Sequence, residues 1–488
     1  MKRIALRIGA VCAGVLLVLF LIMAVRALTM RSMQITVAPR PLPEVHIDRA
    51  AESLSQAIRL KTISHEDEAN VEVEAFLALH RVFEARYPLA HQHLQKELVS
   101  DLSLLYTWPG SDPDAKGMIV MAHQDVVAAP EPESWTHPPF SGAVADGYIW
   151  GRGAMDDKGS LVGLFEAIET LLERGFQPRR TVYLCSGHDE EVGGWTGAAT
   201  IAATLAERGV VAEFLLDEGM VVVDGSALGM DGEIAFLSLT EKGYLSLELT
   251  ARGNPGHAST PPRETTLGML AKAVARLEDN PMPADLPDPI RLMFRYLAPE
   301  MSFPMRLVFA NLWLTKPLVL RQLAAERVTD AAIRTTTALT IMEGGTKDNV
   351  LPPTGRAVVN FRPKPGDTIA MVTERVRATI ADDRIELRPS RPPNESPPMA
   401  RVDVPVFDQL HTVVRQVFPD ALVAPTMMLG GSDSHHYAKV AENRYGFLPM
   451  RFSEEDLERI HGPNERIRIE DFERMIAFYI MLIEDIAS

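Results

Sequence analysis

Four short acidic and imidazole clusters recur along this chain in an order that suits a metal centre. His123 and Asp125 stand in His-Gln-Asp, Asp156 and Asp157 in Gly-Arg-Gly-Ala-Met-Asp-Asp-Lys-Gly, Glu190 and Glu191 after an apolar run, and Asp217 at the close of Ala-Glu-Phe-Leu-Leu-Asp. The first three clusters are roughly 33 residues apart, about one βαβ unit, which predicts them at successive strand ends, where open α/β sheets keep their sites. Imidazole nitrogen and carboxylate oxygen are the donors that hard or borderline divalent ions take, so the combination reads as a two-metal hydrolase site.

Each cluster also has a local logic. His123 and Asp125 are two residues apart, so on a strand they face the same side, where Asp125 can hold the second imidazole nitrogen or assist from one layer further out. Asp156 and Asp157 occupy a glycine-flanked turn before a helix, and one of them can bridge two cations. Glu190 and Glu191 are neighbours whose side chains diverge in extended backbone, so one can ligate while the other faces a bound water as general base.

These clusters need a scaffold of alternating elements, and the pattern supplies one. From about Asp48 to Thr240 helical and strand-like periodicities alternate, for example a helix over 160–174 and a buried strand over 180–186, which is α/β organisation. Between about 242 and 392 the predicted order becomes strand, helix, two strands, helix, strand, a ferredoxin-like βαββαβ unit inserted in the larger domain. The expected division is therefore an anchor and Pro-rich spacer over 1–44, a first catalytic part over 45–241, a lid over 242–398, and a second catalytic part over 399–488. Within the lid, an apolar stretch near 281–330, rich in Met, Phe, Leu and Trp, is too interrupted by charge and proline to span a membrane.

Composition narrows the function classes. A net charge of -16 argues against a nucleic-acid partner, whose footprint is a basic patch. Two cysteines, Cys12 and Cys185, provide no disulfide framework, and an isolated buried cysteine behaves as a small hydrophobe. At the N-terminus Lys2, Arg3 and Arg7 precede an uncharged run from Ile8 to Val25, about 18 residues, enough to cross a bilayer core as a helix. An uncleaved anchor is expected, with the N-terminus cytoplasmic and the body outside, periplasmic or extracellular; a secreted form follows if the segment is cleaved.

The clusters, together with Met-Ala-His-Gln-Asp-Val-Val at 121–127, Gly-His-Asp-Glu-Glu at 187–191, Leu-Asp-Glu-Gly at 216–219, Gly-His-Ala-Ser at 256–259, Lys-Asp-Asn-Val-Leu-Pro at 347–352 and Ile-His-Gly-Pro-Asn-Glu at 460–465, carry a family resemblance. The chain resembles the co-catalytic zinc metallopeptidases that include aminoacylase, carboxypeptidase S, carnosinase and glutamate carboxypeptidase. Arg-Thr-Thr-Thr-Ala-Leu-Thr at 334–340 and the apolar stretch make it most similar to the N-fatty-acyl-amino-acid synthase/hydrolase and carboxypeptidase S branch. The resemblance implies a zinc-peptidase fold with a central mixed sheet flanked by helices, a lid, and two Zn2+ per chain.

It also implies roles. His123 and Asp217 would ligate one zinc and Glu191 and His461 the other, with Asp156 as the bridge, Asp125 orienting His123 and Glu190 as general base. Only the resemblance selects His461 among 13 histidines. His257, Asn349, Arg362, Gly430 and Gly431 would bind substrate, the histidine donating to the oxyanion and the Arg fork taking a terminal carboxylate. His435 departs from the pattern, standing where the branch usually has arginine. The implied activity is hydrolysis, or formation, of the amide of an N-acyl amino acid, with a carboxypeptidase or dipeptidase acting on small peptides as the alternative and a scaffold without catalysis as a third reading. The apolar stretch is expected either to hold a long acyl chain or to be the core of an enlarged lid, and the lid to pair in a homodimer.

Overall fold

The computed structural model describes residues 2–488 and resolves into two compact units. The larger comprises 34–239, 398–426 and 432–488; the smaller comprises the N-terminal segment to residue 33, 240–397 and 427–431.

The larger unit is built on a mixed sheet in the order Gln95–Val99, Ser103–Trp108, Val182–Ser186, Gly117–Met121, Ala212–Asp224, Arg444–Phe452, Glu233–Glu241, Leu422–Met428. Its central strands pair in parallel, Gly117–Met121 between Val182–Ser186 and Ala212–Asp224. Gly117–Met121 is buried along its whole length, as a strand covered on both faces must be. One face packs Leu105, Ile119, Cys185 and Leu215 against Ile201 and Leu205 of helix Ala198–Glu207. Helices Lys158–Glu173 and Ile469–Ala487 pack on each other within the same unit, and both are buried along most of their length.

Two local expectations change. Gly117–Met121 ends before His123, so His123 and Asp125 sit in the connection beyond the strand and meet through its turn. Asp217 does not end its strand, which runs on to Asp224; the pairing with Arg444–Phe452 skips from Asp217 opposite Gly446 to Met220 opposite Phe447. Glu218 and Gly219 are the bulged residues, and the backbones approach so closely that a Cβ on Gly219 would lie 2.9 Å from Gly446. A bulge of this kind re-aims side chains, and here it does so between two carboxylates.

In the smaller unit the order is Leu245–Arg252, helix Thr266–Asp279, Thr336–Gly344, Thr354–Arg362, helix Ile369–Ile380, Ile385–Pro389, forming a four-stranded antiparallel sheet under the two helices. This is the βαββαβ arrangement, with Leu247, Leu249, Phe361, Leu270, Val274 and Val376 in its core. The apolar stretch forms four helices, Asp288–Leu297, Phe303–Phe309, Leu312–Leu323 and Arg327–Ile333. They close a core of their own around Leu286, Ile290, Phe294, Val319 and Ile333, so packing accounts for their inward faces. The N-terminal helix, Lys2–Leu28, contains one window, Leu6–Leu28, long and apolar enough to cross a membrane, and most of it is exposed, with Ala27 in its last turn buried.

Candidate metal centre

The larger unit gathers the acidic and imidazole side chains from four connections. His123 is buried at the end of its strand, with Gln124 anchoring the loop by donating to the Leu102 and Ser186 carbonyls, both at 3.0 Å. Asp125, fully buried, lies 3.3 Å from His123 Nδ1 and accepts the backbone N–H groups of Glu190 (3.1 Å) and Glu191 (3.0 Å). A single carboxylate therefore ties the histidine to the glutamate pair, which sits in the short turn Glu190–Val192.

Asp156 occupies the centre. His123 Nε2 donates to its Oδ1 at 2.9 Å, and His461 Nε2 donates to its Oδ2 at 3.0 Å and to Glu191 Oε2 at 3.1 Å. His461 reaches this point across 305 residues of sequence because of a buried pair that sequence reasoning missed. Arg152 and Glu465 form a 2.5 Å ion pair, Glu465 Oε1 accepts the N–H groups of Met155 (2.9 Å) and Asp156 (3.2 Å), and Arg152 donates to the Gly462 carbonyl at 3.2 Å. The loop carrying Asp156 and the loop carrying His461 are thus laced together. His461 itself has φ +60°, a left-handed conformation rarely adopted by residues with a Cβ and found most often at functional sites.

On strand Ala212–Asp224, Glu218 Oε1 comes within 3.8 Å of His123 Nε2. Asp217, buried beside it, accepts the N–H of Glu218 at 3.0 Å and of Ser434 at 2.9 Å. Among the described residues, two sets of donor atoms converge closely enough to hold an ion: His123, Asp156 and Glu191, and His123, Glu190 and Glu218. Glu218 was readable only from the glycine after it, the one residue that permits the bulge.

The electrostatics point the same way. Burial, together with neighbouring acids, holds the carboxyls of Glu190 and Glu218 well above the carboxylate range, and burial raises Glu191 against the hydrogen bond from His461. Burial opposes the charge of Asp156 as well, yet hydrogen bonds from the two histidines keep it below the usual range. His461 is pushed up to about 10 by its bonds to Asp156 and Glu191, and His123, despite burial, is raised by Asp125 and Asp156. So many acids with two imidazolium partners form a site deficient in positive charge. Glu191 Oε1, buried and without a hydrogen-bond partner among the described residues, is a free donor atom inside it. A buried carboxylate oxygen without a partner is costly, and a divalent cation satisfies it, so the residues fit the metal that the donor set implies.

Beyond these groups, His435 Nδ1 donates to the Ser432 carbonyl at 2.7 Å and its ring lies tilted against His436, and Trp195 meets the His436 ring edge-on at 5.1 Å. The remaining sequence candidates belong to the smaller unit. His257 lies in a two-residue bridge opposite Val350, beside Asn349, whose carbonyl accepts the Ala258 N–H at 3.0 Å. Its Nδ1 accepts the Ser259 N–H at 3.1 Å, which leaves the proton of the neutral ring on Nε2. Arg362 stacks on Tyr244 at 4.9 Å, and a Cβ on Gly431 would stand 3.8 Å from its guanidinium and 3.6 Å from Glu241. Gly430, next to it, packs near Met428.

Comparison with known proteins supplies the family. The model of peptidase family M20/M25/M40 matches residues 119–485. The chain is 40% identical over 448 residues to the N-fatty-acyl-amino acid synthase/hydrolase PM20D1 of Xenopus tropicalis, covering 91% of this chain and 87% of that one. It is 39% identical over 439 residues to the probable carboxypeptidase S-like 2 of Dictyostelium discoideum, covering 89% and 84%. Among solved structures, the M20 family metallo-carboxypeptidase Sso-CP2 from Sulfolobus solfataricus shares the fold at TM-score 0.66 and 18% identity, over 89% of this chain and 98% of that one. With its acid and histidine cluster and these matches, the chain belongs to peptidase family M20/M25/M40 and is a metal-dependent hydrolase.

Proposed function

We propose that the protein hydrolyses, and in reverse forms, the amide bond of N-acyl amino acids, with two zinc ions held by His123, Asp156, Glu191, Asp217 and His461. The observation that carries the chemistry is Asp156, each of whose oxygens is engaged by a different histidine, the posture of a carboxylate that bridges two cations. Glu218 is a further candidate donor on the His123 side. When bound, the metals would polarise the substrate carbonyl and lower the pKa of water.

The chain's own groups do the rest. Glu190, held beside the cluster by the bond from its N–H to Asp125, takes the proton from water and passes it to the leaving nitrogen. Asp125 keeps His123 oriented. His257 donates from Nε2 to the developing oxyanion, Asn349 positions the scissile amide, and Arg362 with the Gly430 and Gly431 N–H groups binds the terminal carboxylate. The substrate class follows from the relative named as an N-fatty-acyl-amino acid synthase/hydrolase, at about 40% identity over most of both chains. The carboxypeptidase S-like relative favours the second reading, cleavage of small peptides.

The division into 1–44, 45–241, 242–398 and 399–488 goes with this assignment: anchor, first catalytic part, lid, second catalytic part. The apolar N-terminal helix is taken as an uncleaved anchor that places the body outside the cytoplasm. The lid offers a pairing edge for a homodimer, since Thr336–Gly344 is the outer strand of its sheet and exposes Ile341 and Met342. Turnover of N-oleoyl-phenylalanine against unacylated dipeptides by zinc-loaded protein tests the substrate: faster dipeptide cleavage would replace the first reading with the second.

A further inference from the structure

The apolar helices of the lid insert have two faces, and only one of them is used by the protein. Along Leu312–Leu323, Leu312, Val319, Leu320 and Leu323 turn inward to the insert's own core. Trp313, Leu314, Pro317 and Leu318 recur at the spacing of the opposite face, and Trp313, Leu314 and Leu318 are 56%, 46% and 62% exposed. Phe303 and Met305 of the preceding helix are exposed as well. A helix with apolar side chains on two opposite faces, one of them bare, calls for a partner that is itself apolar on that side.

The N-terminal helix shows where that partner lies. Asn311, at the junction of the two insert helices, donates to the Met23 carbonyl at 3.1 Å, and Arg26 Nε donates to the Ala310 carbonyl at 3.2 Å. The apolar window of the N-terminal helix ends at Leu28. Met23 is thus roughly 7 Å inside the end of the span, at 1.5 Å rise per residue. If the helix crosses a bilayer, the junction sits at the depth where hydrocarbon gives way to headgroups, and the bare face lies beside it. At the same level Arg26, Arg291 and Arg295 line a groove of about 360 Å³ together with Phe294 and Phe309. Arginines beside aromatic rings match the phosphate and acyl layers of a leaflet.

We propose that helices Phe303–Phe309 and Leu312–Leu323 rest in the outer leaflet of the membrane crossed by the N-terminal helix, with Trp313, Leu314 and Leu318 in the acyl layer and the three arginines at the phosphates. The occupant of the bare face is phospholipid. This rests on the reading of the N-terminal helix as an uncleaved anchor. It gives the insert a function besides packing: it seats the lid on the surface in which long-chain amides dissolve.

The full chain is reconstituted in vesicles of phosphatidylcholine and phosphatidylglycerol, with and without bromine on acyl carbons 6 and 7, and tryptophan emission is read. Bromolipid dims the wild type at least about twofold more than Trp313→Phe, because an interfacial tryptophan meets the bromines. Dimming returns in the Trp313→Phe, Leu318→Trp double variant, which also covers the case in which the single variant folds poorly. Equal dimming of wild type and Trp313→Phe, with the chain resisting alkaline carbonate extraction, overturns the proposal and leaves the anchor standing. Release of the chain by carbonate overturns the anchor, and the proposal with it.

Discussion

The metal centre and the lid insert solve opposite problems with neighbouring kinds of loop and helix. At the centre, acids that repel one another are held together by a framework of directed bonds: Asp125 to two backbone N–H groups, Glu465 to two more, Arg152 across to Gly462. Nothing there is left to chance in position, and the deficit is charge, which a cation corrects. In the insert the inward faces are satisfied by packing alone, few directed bonds fix the outward one, and the deficit is cover for apolar surface. A site short of charge asks for ions; a face short of cover asks for lipid or protein.

Substitutions separate the two regions. Glu190→Gln keeps the shape of the cluster and removes the proton carrier, so turnover should fall by about 10²- to 10⁴-fold with bound metal retained, as measured by steady-state kinetics and metal analysis on the same sample. Loss of metal without that fall in rate per bound metal would make Glu190 a ligand instead. Arg152→Leu strands the Glu465 carboxylate in a buried position, and breaking a buried pair this way should cost about 3–5 kcal/mol in a denaturant titration, with weaker metal binding because Asp156 and His461 lose their common tether.

A smaller effect comes from pH. His411 is buried, and burial with Arg415 nearby pushes it down to about 4. Its folded pKa lies below the unfolded value near 6.5, so the unfolded chain binds the extra proton first. Stability is therefore full above about pH 6.5 and declines as pH falls towards 4, by at most about 3 kcal/mol from this group. Comparing the acid limb of wild type and His411→Gln reads it: the variant should lose less stability between those values, and parallel limbs would remove His411 from the account. Smallest of all, Leu314→Ser with Leu318→Ser should shift stability in detergent by no more than about 0.5 kcal/mol per site, since both side chains are exposed. A large loss would show that the face is covered by protein.

Much of this was legible in the residues, and the failures are instructive. Strand, helix and strand order in the lid followed from periodicity, because each element buries one face on Leu247, Leu249, Phe361 or Val376. His123, Asp156, Glu190 and Glu191 were readable because acidic and imidazole residues interrupt apolar runs at strand spacing. His461 was not, since it belongs to an exposed loop and is brought to the cluster by Glu465 and Arg152, whose pairing spans 313 positions and leaves no periodic trace. Glu218 was not named beside Asp217, because the bulge that brings Glu218 within 3.8 Å of His123 breaks the simple alternation of a strand. The apolar insert was visible as apolar, but which face is core depends on the helices it meets.

Convergence of four connections on a site for two divalent ions is read out by the metal content of the purified full chain, stripped with chelator and titrated with zinc. Wild type should hold two zinc ions per chain and His461→Ala fewer, with activity that disappears on stripping and returns with the metal. Full activity in stripped protein, or unchanged stoichiometry when His461 is removed, would contradict it.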